Sequence, residues 1–129
     1  MAKRSIMVLA NEEVISALLG AMVELDGYIP LFPAADETPL TAICRLRPDL
    51  LLLDCEHEFA WDVHSMQCVP TVGTRVLLFS AMRSQREVEQ IAARYAAPAF
   101  VLPVAFRDFT AQVDHALGSP DQPARAIGA

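Results

Sequence analysis

The chain has 129 residues, of which 53% are hydrophobic and 20% are charged, and its formal net charge is -6 at pH 7. This composition predicts one globular domain with a hydrophobic core, and the negative charge argues against nucleic acid or an anionic membrane as a partner. No apolar run reaches the ~20 residues of a membrane span, and three cysteines without the spacing of a disulfide framework predict a protein of the reducing cytoplasm.

The chain opens with a short apolar run followed by a segment of helical periodicity. Residues 5–9 predict a strand buried on both faces, and Asn11 predicts the cap of a helix that ends at Gly27. Residues 28–32 predict a second strand, whose Pro30 indicates an edge position. The predicted core-facing stripe of the helix consists of Val14, Leu18, Met22 and Leu25.

The middle of the chain repeats this alternation. Thr38 and Pro39 predict the cap and first position of a helix that runs to about Leu46. Residues 49–53 predict the most apolar strand of the chain. Residues 56–72 carry a weaker pattern, which predicts a short helix around 61–67 that Pro70 interrupts.

The last part of the chain contains two further strand and helix pairs. Residues 75–80 predict a fourth strand, and Ser84 with Glu87 predicts a capping box that opens a helix to about Ala96. Residues 99–102 predict a fifth strand. The apolar stripe of the last predicted helix consists of Phe106, Phe109, Val113 and Leu117.

Five successive pairs of strand and helix predict an α/β fold in which a doubly wound parallel sheet is covered by helices on both faces. Ligands of such sheets bind outside the carboxyl ends of the strands. The residues that follow the strands at these ends are therefore candidates for the site. They are Ala10, Asn11, Asp54, Ser80 and Pro103.

With these elements in order, the chain from about Ser5 to Leu117 resembles the receiver domain of bacterial two-component response regulators. The segments that carry the resemblance are "RPDLLLLD", "VLLFSA", "AAPAFVL" and the "LDGY" that closes the first helix. The resemblance implies a flavodoxin-like sheet with strand order 2-1-3-4-5 and a domain at residues 1–117. Residues 118–129 are expected to form a flexible tail without an output domain.

The resemblance also implies a set of functional positions. Receiver domains hold Mg²⁺ with an acidic pair after the first strand and with the aspartate after the third strand, which accepts a phosphoryl group from a histidine kinase. A serine or threonine after strand four and a lysine after strand five contact the phosphoryl oxygens, and an aromatic residue in strand five changes position. Asp54 matches the phosphoacceptor, Ser80 matches the hydroxyl, and Phe100 falls on the aromatic position, where core packing is the alternative.

Other positions depart from the family pattern. The acidic pair falls on Ala10 and Asn11, and the lysine position falls on Pro103. Because Mg²⁺ prefers anionic oxygen ligands, we expect impaired or absent Mg²⁺-dependent phosphorylation, and Mg²⁺ is a cofactor only if Asp54 is a working phosphoacceptor. A shifted alignment that brings Glu12 or Glu13 into the pocket is an alternative.

The segment after Asp54 lacks the Met-Pro and the downstream glycine that are usual in the family, which predicts a short or irregular third helix. It also contains a second candidate site, in which two thiolates and two imidazoles could bind zinc. The alternative is that the cysteines are buried and the histidines are solvated. The four residues are Cys55, His57, His64 and Cys68.

These observations favour a non-enzymatic signalling module that acts through a protein partner, namely a histidine kinase, another regulator or a second copy. The alternatives are a receiver phosphorylated on Asp54 and a small zinc- or thiol-dependent protein. The resemblance implies a homodimer or effector surface on the fourth helix, fifth strand and fifth helix, although an ordinary solvated face is an equal alternative. The charged candidates on this surface are Arg86, Glu87, Glu89, Arg94, Arg107 and Asp108.

Overall fold

A computed structural model of the chain, which describes residues 3–118, contains one five-stranded parallel sheet with the order β2-β1-β3-β4-β5. This order and the helices around the sheet confirm the predicted doubly wound fold. The predicted tail lies outside the described residues except for Gly118. The strands are β1 (Ser5–Leu9), β2 (Ile29–Leu31), β3 (Leu50–Asp54), β4 (Arg75–Ser80) and β5 (Ala99–Val101).

Within residues 3–118, five α-helices connect and cover the strands. The predicted starts of the second and fourth helices, at Thr38 and Ser84, are confirmed, because each of these side chains accepts a hydrogen bond from the backbone of the first helical turn. The fourth helix ends at Ala93 rather than near Ala96, which has a positive φ of 50°. The helices are α1 (Glu13–Leu25), α2 (Pro39–Leu46), α3 (Val63–Cys68), α4 (Gln85–Ala93) and α5 (Phe106–Leu117).

The region between β3 and β4 is irregular, as predicted. A 3-10 turn at Glu58–Trp61 precedes α3, which has six residues, and a second 3-10 turn at Val69–Val72 follows it. Pro70 lies in this second turn, where its ring ends the α-helical hydrogen bonding.

The alternation of side chains along the strands divides the core into two layers. One layer lies between the sheet and helices α2, α3 and α4, and includes Leu51 and Leu53. The other lies between the sheet and helices α1 and α5, and includes Leu50, Leu52 and Phe79. Since β3 is central and buried on both faces, its end is held rigidly at the edge where the candidate site lies.

The predicted stripe of α1 was correct at Met22 and wrong at its other three positions. Val14 and Leu25 are 77% and 76% exposed, and Leu18 is 49% exposed. Together with Met22, the helix buries Leu19 and Val23 against the sheet. The sequence of α1 is apolar on most of its circumference, so periodicity alone did not identify the buried face.

Close packing beside Gly20 helps to fix this orientation. A Cβ atom at Gly20 would lie 2.7 Å from the ring of Phe32, so only glycine lets this ring pack against α1 without displacement. The predicted cap was also wrong, because the N-cap position is Glu12, which forms no side-chain cap hydrogen bond, and not Asn11.

Two carboxyl groups lie close together at the opposite end of the sheet from the candidate site. The Tyr28 hydroxyl donates a hydrogen bond of 2.8 Å to Asp114 Oδ1. Asp26 lies next to Asp114, and its Oδ2 atom is buried without a hydrogen-bond partner. Burial raises the pKa of Asp26 above its ordinary value because it disfavours the charged form, and the adjacent Asp114 carboxylate raises it further by charge repulsion.

Replacing Asp26 with asparagine is expected to stabilise the protein at pH 7 by a few tenths of a kcal/mol to about 1 kcal/mol. A carboxyl whose folded pKa is raised costs stability above that pKa, and protonation removes the cost as the pH falls through it. Melting curves should therefore show that the stability of the wild type approaches that of Asp26→Asn as the pH is lowered from 7 through the pKa of Asp26. A difference that is constant with pH would contradict this account.

Among residues 3–118, no helix combines the length and hydrophobicity needed to cross a membrane.

Candidate functional site

Asp54 lies at the carboxyl end of the central strand, where the sequence analysis placed the phosphoacceptor. It is 5% exposed and pairs with Phe79 in the register of β3 and β4. Ser80 follows Phe79 and ends β4 in a fully buried position. The fold therefore brings these two predicted site residues to the ends of adjacent strands.

The carboxylate of Asp54 accepts hydrogen bonds from two loops. The backbone N–H of Asn11 donates to Oδ2 over 3.1 Å, and the backbone N–H of Glu56 donates to Oδ1 over 2.9 Å. The first bond fixes the loop between β1 and α1, and the second fixes the loop between β3 and the first 3-10 turn. Asp54 thus has a structural role that requires neither metal nor phosphate.

The positions of the acidic pair contribute no carboxylate to this pocket. Ala10 packs against the core layer under α1 and α5, and Asn11 is exposed. Glu12 and Glu13 are exposed at the start of α1. The shifted alignment requires the side chain of one of them to turn toward Asp54.

These residues do not fit a magnesium ion. Mg²⁺ requires near-octahedral oxygen ligands and gives up its water reluctantly, so the single carboxylate of Asp54 with neutral neighbours is a weak donor set. Within residues 3–118, no three His, Cys, Asp or Glu side chains are gathered as a metal site would need.

The end of β5 contributes no cation on the face of Asp54. Phe100 pairs with Phe79, which pairs with Asp54, so the alternation of the strands places Leu102 on the same face as Asp54. Leu102 is half-buried in the same core layer as Ala10, whereas Pro103 is exposed. The sequence resemblance assigned Pro103 to the lysine position; the register assigns Leu102 to the Asp54 face, and neither residue carries a charge.

The hydroxyl oxygen of Ser80 is engaged by its own loop. It accepts hydrogen bonds from the backbone N–H groups of Met82, at 3.1 Å, and Arg83, at 3.0 Å. These bonds shape the connection between β4 and α4. The position predicted to contact a phosphoryl group therefore has a second role, which is to hold this loop.

An ion pair that sequence reasoning missed connects the loops after β3 and β4. Arg83 is paired with Glu56 through Nε and, at 3.4 Å, through a second guanidinium nitrogen, and it lies 3.9 Å from Glu87. The two loops that a phosphoryl group would join in a receiver are thus already joined by side chains. Opposite charges in two loops that are distant in sequence do not by themselves predict that the two side chains form an ion pair.

The chain's one tryptophan lies beside this ion pair. The indole Nε1 of Trp61 donates a hydrogen bond of 2.8 Å to the carbonyl oxygen of Cys55. The guanidinium carbons of Arg83 and Arg94 lie 5.8 and 5.4 Å from the ring centroid, within cation–π distance. These contacts further restrict the loop after β3.

Phe100 lies in the core. It is 4% exposed, with its ring 5.8 Å from that of Phe79 in a stacked arrangement and 5.9 Å from that of Phe109 in an edge-to-face arrangement. Such packing on two sides is typical of a core aromatic, so the geometry agrees with the core alternative for this residue.

The four residues of the zinc alternative are not gathered into one site. Cys55 is buried, and burial together with nearby Asp54 raises the pKa of its thiol to about 11, which disfavours the thiolate that zinc requires. The Nδ1 atom of His57 accepts a hydrogen bond of 3.1 Å from the backbone of Phe59. His64 is exposed and Cys68 is half-buried on α3.

The six charged residues of the predicted interaction surface are all exposed. Three of them already have partners within the chain. Glu87 completes the capping box of α4, Glu89 accepts a hydrogen bond of 2.9 Å from Gln85, and Arg94 lies over Trp61. The use of this surface by a partner stays a prediction.

Comparisons with known proteins agree with this architecture. The chain matches no family model and no curated protein. A response regulator receiver protein from Burkholderia phymatum superimposes with a TM-score of 0.71 at 15% identity, covering 92% of this chain and 99% of that protein. A response regulator from Thermotoga maritima gives 0.68 at 18% identity, covering 92% and 100%.

A chemotaxis protein from Vibrio cholerae gives a TM-score of 0.70 at 16% identity, covering 89% of this chain and 99% of that protein. All three likenesses extend over nearly the whole of both chains at low identity, so they establish the fold. The chemistry of the chain has to be inferred from its own site residues. The chain therefore has the fold of a response regulator receiver domain.

Proposed function

We propose that this protein is a receiver-like signalling module of two-component type that acts by protein–protein interaction without Mg²⁺-dependent phosphorylation. The observation that carries the proposal is the set of side chains around Asp54. Ala10, Asn11 and Leu102 supply neither a second anionic metal ligand nor a cation on the face of this carboxylate.

Phosphoryl transfer depends on both of these missing groups, the anionic metal ligand and the cation. The protein accelerates the reaction mainly by positioning the phosphoryl group and by neutralising the charge on its oxygens in the transition state. A pocket with one carboxylate and apolar neighbours offers little of either contribution. Asp54 is then best explained as the acceptor that holds the backbone of Asn11 and Glu56.

The loop contacts support a module with one dominant conformation. The β3 loop is fixed by Asp54 and by the Glu56–Arg83 pair, and the β4 loop is fixed by Ser80 and by the same pair. A ligand shifts a conformational equilibrium only by its differential affinity for two states. A pocket that binds neither metal nor phosphoryl group tightly has no such ligand at Asp54.

We propose a protein as the partner, either a histidine kinase, another regulator or a second copy of the chain. The exposed charges on α4 and α5, including Arg86 and Arg107, support such a contact because they are solvated and of both signs. The charge of the whole chain favours partners with basic surfaces.

Incubation with acetyl phosphate and Mg²⁺, followed by intact mass spectrometry, tests the proposal. We expect no phosphoryl adduct on the wild-type protein under conditions that modify a functional receiver run in parallel. An adduct on the wild type that is absent from Asp54→Asn would contradict the proposal and would support the alternative, a phosphoacceptor charged on Asp54.

A further inference from the structure

Trp61 and Val63 give the segment after Asp54 an exposed apolar patch. Trp61 ends the first 3-10 turn, Val63 begins α3, and their side chains are 44% and 55% exposed. Tryptophan is among the residues most enriched at the energetic centres of protein interfaces. An exposed tryptophan close in sequence to a second exposed apolar side chain is therefore a candidate contact for a partner.

The Trp61 ring is fixed in its exposed position. Its Nε1 atom donates a hydrogen bond to the carbonyl oxygen of Cys55, and Arg83, which is paired with Glu56, lies within cation–π distance of the ring. A side chain that is already ordered loses little conformational entropy when a partner binds. The patch is therefore presented in one orientation, and this orientation needs no ligand at Asp54.

Arg94 adds a positive charge to this patch. Its guanidinium carbon lies 5.4 Å from the ring centroid of Trp61, and the residue is exposed at the end of α4. Within the part of the chain that the structure describes, Arg94 forms no ion pair, whereas Arg83 is paired with Glu56. A guanidinium that stacks on an aromatic face keeps the N–H groups at its edge available for a carboxylate.

Arg86 provides a second cation on the same helix. Residues 86, 90 and 94 recur at every fourth position, so Arg86 lies about 12 Å along α4 from Arg94, with exposed Gln90 between them. Arg86 likewise has no ion pair among residues 3–118. The two carboxylates of α4 are engaged in the chain, because Glu87 completes the capping box and Glu89 accepts a hydrogen bond.

We infer that these four residues form a binding surface for an extended acidic segment of a protein partner. One carboxylate of the segment pairs with Arg94, and a second, three or four residues away, pairs with Arg86. An aliphatic side chain next to the first carboxylate packs on Trp61 and Val63. The apolar contact supplies affinity, and the two arginines select acidic segments and fix their orientation.

Charge distinguishes this occupant from a nucleic acid and from a second copy of the chain. The net charge of -6 opposes the approach of a polyanion and of an identical acidic chain. A short segment of a partner whose remaining surface is not acidic escapes this repulsion. The contact itself is decided within a Debye length, about 10 Å at 0.1 M salt, where the two arginines provide the complementary charge.

This inference rests on the proposed function in taking a protein as the partner, and it deepens that proposal by naming the surface and the chemistry of the partner. It does not involve the carboxylate of Asp54. A failure of the peptide experiment is therefore distinguishable from a failure of the phosphorylation proposal, which the adduct on Asp54 decides.

The test uses the full chain and a labelled synthetic peptide of about ten residues composed of glutamate, leucine and proline, which favours an extended backbone. Fluorescence anisotropy measures the affinity, and the emission of Trp61 locates the contact because the chain contains one tryptophan. The peptide should bind and protect Trp61 from quenching by acrylamide. A matched peptide with glutamine in place of glutamate should bind at least ~10-fold more weakly.

Substitutions of exposed arginines provide the matched comparison. Arg94→Gln should weaken binding of the glutamate peptide at least ~10-fold, and its melting temperature should stay close to that of the wild type because the side chain is exposed. Arg107→Gln removes an exposed arginine from α5, on the surface that the family resemblance implies, and should bind the peptide like the wild type.

Several results would overturn the inference. They are the absence of peptide binding to the wild type, binding that leaves the quenching of Trp61 unchanged, and equal affinities of the wild type and Arg94→Gln. A wild-type dimer in sedimentation that Arg94→Gln abolishes would make a second copy the occupant. Binding of a single-stranded oligonucleotide that Arg94→Gln abolishes would make a nucleic acid the occupant, since bases also stack on exposed aromatic rings.

Discussion

Replacing Phe100 with alanine is expected to lower the free energy of unfolding by about 3–5 kcal/mol, measured by chemical denaturation. The ring is almost fully buried and contacts Phe79 and Phe109, so its removal leaves a cavity between β5 and α5. A cost of this size would support the core alternative for Phe100 over the switching role.

The matched control is Phe106→Ala on the first turn of α5. Its side chain is 43% exposed, so the same substitution should cost no more than about 1 kcal/mol. A cost below about 1 kcal/mol for Phe100→Ala as well would contradict the packing described for this ring and would favour the switching role implied by the family resemblance.

Replacing Asp54 with alanine is expected to destabilise the protein by about 2–3 kcal/mol. The carboxylate accepts the backbone N–H groups of Asn11 and Glu56, and alanine leaves both donors without their partner. Asp54→Asn should cost less, because an amide oxygen keeps one of the two bonds. Denaturant titration of the three proteins at the same pH measures both differences.

The sign of this effect separates a structural aspartate from a functional one. Residues held for catalysis often reduce stability, so that their replacement stabilises the protein. A more stable Asp54→Ala variant would therefore contradict the structural role assigned to this carboxylate. Asp108→Ala, at an exposed position on α5, serves as the control and should change stability by no more than about 0.5 kcal/mol.

The fold was predictable because the strands are short, apolar and separated by recognisable helix starts. Thr38, Pro39, Ser84 and Glu87 each fix a helix start by a local interaction, and such interactions can be identified in a sequence. The buried face of α1 was not predictable in this way. Several of its faces are apolar, and the one that is buried depends on contacts with the sheet and with distant Phe32.

The candidate site was predictable only in part. The position of Asp54 followed from the apolar run before it, and the lack of carboxylates at Ala10 and Asn11 followed from the alignment with β1. The hydrogen bonds that occupy Asp54 and the Glu56–Arg83 pair depend on how loops fold over the strand ends. The position of Leu102 on the Asp54 face depends on the sheet register. The sequence resemblance pointed to the next residue, Pro103.

The measurement that tests the central claim most directly is a melting curve with and without millimolar Mg²⁺ and beryllofluoride, which mimics an aspartyl phosphate. A ligand present at 100 times its dissociation constant would stabilise the folded state by about 2.7 kcal/mol, which is readily detected. We predict that the melting temperature does not change. A rise in melting temperature that requires both additions and disappears in Asp54→Ala would contradict the account, because Asp54 would then be a working phosphoacceptor.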